Sequence, residues 1–215
     1  MWNKENFYKT GEEEIDNVIK ANKKYIKRFD TALDFGCGPG RLTQALCRHF
    51  KAVYGIDISD QMINLANNEN LFPDKCFYLV NQSDNLSTFK NNKFDLIYTV
   101  ITLQHIPTQL STKFIQEFIR VLKPDGVLIF QVPSEFKADV PFIRKLVWQL
   151  LQKFPDFAVS FYRQKIKKTI PIEMYPINKS DVEKIINEAN GKLIDINEDN
   201  LGGSNWVSYT YIVTK

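Results

Sequence analysis

The residues Leu-Asp-Phe-Gly-Cys-Gly-Pro-Gly at positions 33–40 constrain the fold of this chain more than any other stretch. An apolar run ends there in three glycines at alternate positions, and a helical pattern follows. Such glycines let the backbone approach a ligand closely, and the N–H groups at a helix start then face that ligand. The sequence therefore predicts a buried strand, a cofactor-binding loop and a helix, in that order.

A carboxylate follows the glycine loop at the end of the next apolar run. A second apolar run, residues 52–56, ends in Asp57, about 20 residues after the loop, where a nucleotide-binding βαβ unit places its ribose-binding acid. The glycines are spaced G-x-G-x-G, whereas dinucleotide sites use G-x-G-x-x-G. Asp34, two residues ahead of Gly36, suits a cofactor that carries an ammonium group in place of a pyrophosphate. The motif therefore points away from NAD.

Four motifs in order carry a family resemblance. Residues 34–41 resemble motif I of the class I S-adenosylmethionine-dependent methyltransferases, and residues 55–59 (Gly-Ile-Asp-Ile-Ser) resemble the family's acidic second-strand motif. Residues 94–107 are similar to its fourth strand and strand exit, and residues 120–130 to the helix end, turn and fifth strand that follow. One position departs, since Asp125 replaces a glycine of the family's Pro-Gly-Gly, and Asp tolerates turn geometry. The resemblance implies S-adenosylmethionine as cofactor, S-adenosylhomocysteine as product and no metal.

The order of apolar runs predicts an α/β fold, namely a doubly wound, seven-stranded, mostly parallel sheet with a C-terminal antiparallel hairpin strand and helices on both faces. Strands are predicted at residues 31–35, 52–56, 76–81, 94–99, 126–132, 192–196 and 206–214, and helices at 11–29, 41–50, 59–69 and 108–122. Thr10 and Glu13 match a capping box for the first helix. The last two strands follow each other without a helix, which favours a methyltransferase over a dinucleotide dehydrogenase.

The chain is predicted to be a single methyltransferase domain over residues 1–215, with an N-terminal helical arm at 1–30 and a substrate-cap insertion at 135–178. The insertion is too long for a simple connection, and residues 141–154 have helical apolar spacing. Between residues 144 and 168 there are seven basic residues and one acid, whereas the whole chain has a formal net charge of only +3. This segment favours a small anionic acceptor, and a solvated basic helix face is the alternative.

Cofactor contacts are expected where the first three strands end. Asp34 would bind the ammonium group and Asp57 the ribose hydroxyls, while Ser83 or Asp84, with Gln82 as an equal candidate, would recognise the adenine amino group. The full predicted set is Tyr8, Asp34, Phe35, Gly36, Cys37, Gly38, Gly40, Arg41, Asp57, Ile58, Met62, Ser83, Asp84 and Val100.

Several members of this set have competing interpretations. Met62 would cover the adenine or pack in the core, and Arg41 would reach the methionine carboxylate or be solvated. Val100 would touch the cofactor beyond the fourth strand, and Tyr8 would close over it from the arm. Cys37 is interpreted as a small buried residue and not as a nucleophile.

The implied reaction is an in-line displacement in which an O, N, S or C nucleophile attacks a sulfonium methyl group, whose reactivity the cofactor supplies. The protein aligns the reactants, excludes water and, for a hydroxyl, removes a proton. His105, at the exit of the fourth strand, is the candidate base, with a structural or pocket-lining role as the alternative. The substrate-binding candidates are Arg144, Arg163, Lys165, Lys168 and Tyr175.

The composition argues against several classes of protein. The chain is 44% hydrophobic and 25% charged, as in soluble globular proteins, and it contains no apolar run of the ~20 residues that a membrane span needs. The N-terminus lacks a signal-peptide pattern, so a cytoplasmic location is expected. The three cysteines contain no C-x-x-C pair, which argues against a disulfide framework or a zinc site.

Two other functions stay open. One is methylation of RNA or protein, although residues 98–101 (Tyr-Thr-Val-Ile) lack the Asn/Asp-Pro-Pro-aromatic motif that enzymes methylating base amines share, which makes nucleic acid a disfavoured partner. The other is a non-catalytic protein that binds an adenosyl cofactor or NAD. The sequence indicates neither the acceptor, nor the methylated atom, nor the oligomeric state.

Overall fold

The computed structural model of the protein describes residues 3–137, 141–142, 145–146, 150 and 174–215. Within them, seven strands form one sheet, and five α-helices and one 3-10 turn accompany it. The strands are β1 (Thr31–Phe35), β2 (Ala52–Asp57), β3 (Cys76–Val80), β4 (Phe94–Thr99), β5 (Leu122–Phe136), β6 (Lys192–Asp199) and β7 (Trp206–Thr214). The helices are α1 (Lys4–Asn22), α2 (Arg41–Leu46), α3 (Asp60–Asn68), α4 (Thr108–Val121) and α5 (Lys179–Glu188), and the 3-10 turn is Leu103–His105.

The strand order is β3-β2-β1-β4-β5-β7-β6. Neighbouring strands from β3 to β5 are parallel, while β7 runs antiparallel to both β5 and β6. The predicted fold class is therefore confirmed. The chain reverses its direction of travel across the sheet between β1 and β4, and ligands of open α/β sheets bind outside the carboxyl ends of the strands at such a point.

Alternate residues of the central strands point to two separate cores. Leu96 of β4 packs in the cluster that α1, α2 and α3 form, whereas Ile97 packs in the cluster that α4 and α5 form. Both side chains are fully buried. A strand buried on both faces has a continuous apolar sequence, which is why the bounds of β1 and β4 were predicted correctly.

The first helix begins earlier than predicted. It starts at Lys4, and its N-cap is Asn3, so the predicted start at Gly11, with Thr10 in a capping box, is wrong. Gly11 lies buried inside the helix, where an added Cβ would be 2.6 Å from the carbonyl oxygen of Arg41. The glycine therefore marks a close contact between α1 and α2 and does not mark a helix end.

Several other bounds differ from prediction. β5 extends beyond residues 126–132 in both directions, because Leu122 pairs with β4 and Phe136 pairs with β7. β6 is longer than predicted, and α2 ends at Leu46. Asp125, the departure from the family's Pro-Gly-Gly, has a φ of +60° and thus adopts the left-handed turn geometry expected of it.

Most of the predicted substrate cap, including much of the predicted helix at 141–154, lies outside the described residues. The chain returns from the cap along β5, where the N–H of Ile177 donates to the carbonyl of Pro133 over 2.9 Å. The division into arm, domain and cap stays a prediction. None of the helices in the described ranges has the length and apolar composition needed to cross a membrane.

Candidate active site

The glycine loop joins β1 to α2 beside the end of β2. The N–H groups of Gly36 and Cys37 both donate to the carbonyl of Ile56, over 2.8 and 3.0 Å. Gly36, Gly38 and Gly40 have φ values of +77°, +52° and +88°, a region that favours glycine. A Cβ on Gly36 would lie 2.3 Å from the Thr102 side chain, whereas a Cβ on Gly38 would meet nothing within 4 Å. The loop is therefore packed at Gly36 and open at Gly38.

Alanine substitutions should separate these two positions. Gly36→Ala is expected to lower the free energy of unfolding by about 2–3 kcal/mol, because strain and a clash with Thr102 add. Gly38→Ala is expected to cost only about 1 kcal/mol, the strain of a left-handed residue alone. Urea unfolding of both variants measures the difference. Equal destabilisation would show that the contact with Thr102 is not what requires glycine.

A cavity of about 520 Å³ opens where β1, β2, β3 and β4 end, and its volume is in the range of ligand sites. Its wall includes six of the predicted cofactor residues and the predicted base: Phe35, Gly36, Asp57, Ile58, Ser83, Asp84 and His105. It also includes residues that sequence reasoning missed, among them Asn81, Ile101, Thr102, Leu110 and Phe114. The switch point of the sheet thus coincides with a ligand-sized site.

Asp57 links the glycine loop to the start of α3. One carboxylate oxygen accepts the N–H of Gly38 and the other accepts the N–H of Ser59, each over 2.9 Å. Ser59 in turn is the N-cap of α3, as predicted. A carboxylate has about four lone-pair sites, so each oxygen retains capacity for a ligand in the cavity.

Asp34 is buried under the loop, with 2% of its surface exposed. Its carboxylate accepts the Thr43 hydroxyl over 2.6 Å. Burial raises the pKa of Asp34 to about 7, although the Thr43 hydrogen bond and the charge of Arg41 oppose the rise. Asp34 is not among the residues that line the cavity, so any contact with a bound cofactor has to be made from beneath the loop.

The predicted cofactor residues after β2 and β3 differ in whether they line the cavity and in whether they already have a partner. Ile58 is 71% exposed at the cavity wall, and Ser83 also lines it. The Asp84 carboxylate is engaged by Lys113 over 2.9 Å, and this hydrogen bond lowers its pKa. Met62 is partly exposed on α3 but is not among the lining residues. Gln82, the equal candidate for the adenine amino group, also lines the cavity, so the choice among Gln82, Ser83 and Asp84 stays a prediction.

The N-terminal arm contacts the glycine loop. The Tyr8 hydroxyl donates to the carbonyl of Pro39 over 3.2 Å, and closure of Tyr8 over the cofactor stays a prediction. Arg41 pairs with Glu14 over 2.9 Å, and Glu14 also accepts the Tyr98 hydroxyl over 3.0 Å. The proposed contact of Arg41 with the methionine carboxylate would therefore compete with an ion pair to α1.

Val100 differs from its expected position. It lines a second cavity of about 460 Å³, together with Val18 of α1 and Tyr98 of β4. The described wall of the cavity beside Asp57 does not include it. The next residue, Ile101, lies there in its place.

The exit of β4 is strained. Ile101 has a φ of +60°, which is an outlier for a β-branched residue. Its N–H donates to the Gln131 side-chain oxygen over 2.9 Å. Such strain persists only where surrounding contacts enforce it, and it occurs often at functional sites. No sequence signal predicts it, because isoleucine itself disfavours this conformation.

His105 lies at the end of the 3-10 turn and lines the cavity. Its Nε2 is 3.1 Å from Nε2 of Gln104. The backbone N–H of Tyr175 donates to the carbonyl of Gln104 over 2.8 Å, which brings the end of the cap to the β4 exit. The other substrate candidates, which lie outside the described residues, are Arg144, Arg163, Lys165 and Lys168.

Cys37 is buried in the loop, and burial raises the pKa of its thiol. This agrees with a packing role. Across the part of the chain that the structure describes, no three His, Cys, Asp or Glu side chains form a group that could hold a metal ion.

The fold and the site define an α/β protein with a glycine loop and a ligand-sized cavity at the switch point of its sheet. Residues 33–130 match a family model described as a methyltransferase domain. This segment of the chain is thus similar to a methyltransferase domain, and the chain as a whole has the class I methyltransferase fold.

Curated relatives agree with this assignment. The chain is 31% identical over 121 residues to a protein of Coxiella burnetii named ubiquinone biosynthesis O-methyltransferase, and the match covers 54% of this chain and 51% of that protein. A protein of the same name from Actinobacillus pleuropneumoniae is 33% identical over 118 residues, with coverages of 52% and 47%. The chain therefore spans about half the length of the curated relatives it matches.

Solved structures share the fold over most of the chain. A S-adenosylmethionine-dependent methyltransferase from Clostridium acetobutylicum superposes with a TM-score of 0.64 at 19% identity, covering 96% of this chain and 91% of that one. Magnesium protoporphyrin IX methyltransferase from Synechocystis, solved with bound S-adenosylhomocysteine, gives 0.64 at 16% identity, with coverages of 100% and 89%. At these identities the likeness concerns the fold.

Proposed function

We propose that the chain transfers the methyl group of S-adenosylmethionine, by in-line displacement, to a small anionic acceptor. The observation that carries this proposal is the cavity lined by Gly36 and Asp57, whose carboxylate also holds the N–H of Gly38. Backbone N–H groups and a carboxylate at the ends of two parallel strands are the groups that bind the sugar of a nucleoside cofactor.

The residues present fit this cofactor. A Cβ on Gly38 would meet nothing within 4 Å, and this space would let the ligand reach the loop backbone. Asp57 would hold the ribose hydroxyls, and the apolar surfaces of Ile58 and Phe35 would bound the adenosyl group. Asp34 would balance the ammonium charge from beneath the loop.

The cofactor supplies an electrophilic methyl group when bound. The chain's contribution is alignment of the acceptor with that group and exclusion of water. The strained exit of β4, with Ile101 and Thr102, forms the side of the cavity where the acceptor would approach. The wall formed by Leu110 and Phe114 is apolar and limits access of water.

The proposed acceptor class rests on the names of the relatives and on the charge of one segment. The curated relatives are named O-methyltransferases, which makes a hydroxyl the first acceptor atom to test. The anionic character rests on the basic residues between 144 and 168, because cationic side chains recognise carboxylates and phosphates.

Neutralising Arg163, Lys165 and Lys168 to glutamine is expected to raise KM for the acceptor about tenfold, the effect of losing about 1.4 kcal/mol of charge-assisted contact. The affinity for S-adenosylhomocysteine should not change. A matched variant neutralises three exposed lysines elsewhere, Lys20, Lys23 and Lys192, and should leave KM unaltered. An unchanged KM in the first variant would dismiss the anionic acceptor.

Methyl transfer itself is tested by incubating the protein with S-adenosylmethionine labelled in its methyl group and fractions of a cell extract. Label in a small-molecule product would support the proposal, and mass spectrometry of that product identifies the acceptor and the methylated atom. Label in RNA or protein would show that the acceptor is a macromolecule and not a small molecule. Binding of S-adenosylhomocysteine without any labelled product would favour a non-catalytic cofactor-binding protein.

A further inference from the structure

A directional chain of hydrogen bonds connects the strained exit of β4 to His105. It starts at the backbone N–H of Ile101, which can only donate. The Gln131 side-chain oxygen accepts this N–H over 2.9 Å. The amide nitrogen of Gln131 must therefore be the group that donates to its other neighbours, Gln104 and Ser208, over 3.2 and 2.6 Å.

The same order of donors and acceptors determines which ring nitrogen of His105 carries the proton. The Gln104 side-chain oxygen accepts from Gln131, so the NH2 group of Gln104 is the one that lies 3.1 Å from Nε2 of His105. An NH2 group only donates, and Nε2 must then accept. In a neutral imidazole that accepts at Nε2, the proton is on Nδ1.

Burial prevents the amides from turning round. Gln131 and Ser208 are fully buried, and Gln104 is 4% exposed. Turning the Gln131 amide would place its NH2 against the N–H of Ile101 and leave both donors without acceptors in the interior, which is strongly unfavourable. The Ser208 hydroxyl is consistent with the same direction, since it accepts from Gln131 and donates to the carbonyl of Val132 over 3.3 Å.

We propose that Gln131 is a positioning residue which, through Gln104, holds His105 in the Nδ1–H tautomer. Nε2 of His105, which accepts from Gln104, then does not serve as a base. This interpretation of its role rests on the proposed function, whereas the tautomer itself does not.

The tautomer is measured directly by long-range ¹H–¹⁵N NMR of the whole 215-residue chain, because protonated and unprotonated ring nitrogens have well-separated ¹⁵N shifts. The chain contains two histidines, so His49→Gln assigns both sets of signals. The expected result is a protonated Nδ1 and an unprotonated Nε2 for His105. A protonated Nε2 on neutral His105 would overturn the proposal.

Two variants test the pathway. Gln131→Glu keeps an acceptor for Ile101 and, when ionised, cannot donate to Gln104; the Gln104 amide should turn, and the proton of His105 should move to Nε2. Gln104→Met removes the donor at Nε2 and should abolish the preference for Nδ1–H. Retention of the Nδ1–H tautomer in Gln104→Met would overturn the proposed pathway, whatever the ionisation of the introduced glutamate.

Ser208→Ala is the matched control, because it removes a buried partner of Gln131 and leaves the direction of the chain intact. The tautomer should stay unchanged. A change in this variant as large as in Gln104→Met would mean that packing alone, and not hydrogen-bond direction, orients His105. Titration of the unsubstituted protein with S-adenosylhomocysteine is a separate readout. Absence of binding there would refute the proposed function and would leave the assignment of the tautomer unaffected.

Discussion

Asp57→Ala is expected to weaken binding of S-adenosylhomocysteine by about 100-fold or more. The carboxylate already accepts the N–H groups of Gly38 and Ser59, and its remaining lone pairs are those proposed for the ribose. Loss of two hydrogen bonds to a charged acceptor costs about 1.5–3 kcal/mol each, and about 1.4 kcal/mol corresponds to tenfold in affinity. Isothermal titration calorimetry measures the change.

The control for charge is Asp74→Ala, which removes an exposed carboxylate outside the cavity and should leave the affinity unchanged. Thermal unfolding serves as the control for structure, because Asp57→Ala also removes the partner of the Gly38 N–H. A folded Asp57→Ala protein that binds the ligand within twofold of the unsubstituted protein would refute the assignment of Asp57 to the cofactor.

The glycine loop and Asp57 could be found from the sequence because their requirements are local. Positive φ at Gly36 and Gly38 requires glycine, and the carboxylate follows at the end of the next strand of the same βαβ unit. Register then brings the two together, since Phe35 pairs with Ile56 in a parallel ladder. Local patterns of this kind predict both the elements and their contact.

Ion-pair partners were not predictable in the same way. Arg41 and Asp84 both follow strand ends where a cofactor would lie, yet the structure pairs them with Glu14 and Lys113. The pairs join residues that are far apart in the chain, and only the packing of α1 and α4 brings them within reach. A charge pattern shows which side chains are available but not which partner the fold selects.

The buried network was missed for a related reason. Gln131 lies within a run that predicts a buried strand, and a lone polar residue there indicates little until its partners are known. Those partners come from the β4 exit and from β7. The role of a buried glutamine is therefore known only once the fold shows its hydrogen-bond partners. The same holds for Gly11, whose role depends on the contact between α1 and α2.

Asp34 is expected to destabilise the folded protein increasingly as the pH rises from about 4 to about 7. Burial raises its folded-state pKa to about 7 from an ordinary value of 3.8. Below the lower value both states hold the proton, and above the higher value neither does. Between them only the unfolded chain releases the proton, so stability falls as pH rises and then levels off. The full loss is on the order of 4 kcal/mol, at about 1.4 kcal/mol per pKa unit.

Urea unfolding of the unsubstituted protein and of Asp34→Asn between about pH 4 and pH 8 measures this contribution. Asparagine still offers an oxygen to the Thr43 hydroxyl and does not titrate, so the difference between the two curves isolates the carboxyl group. Parallel curves would mean that Asp34 is ionised in the folded protein throughout this range, stabilised by Arg41 and Thr43.

Cofactor binding should be linked to the same proton. A bound ammonium group favours the ionised carboxylate, so S-adenosylhomocysteine should displace close to one proton from the unsubstituted protein at about pH 6 and none in Asp34→Asn. Calorimetry in buffers of different ionisation enthalpy counts the released protons. Tight binding without proton release would show that Asp34 stays neutral beneath the loop. Its role would then be to hold Thr43, and Asp57 would be the carboxylate that binds the cofactor.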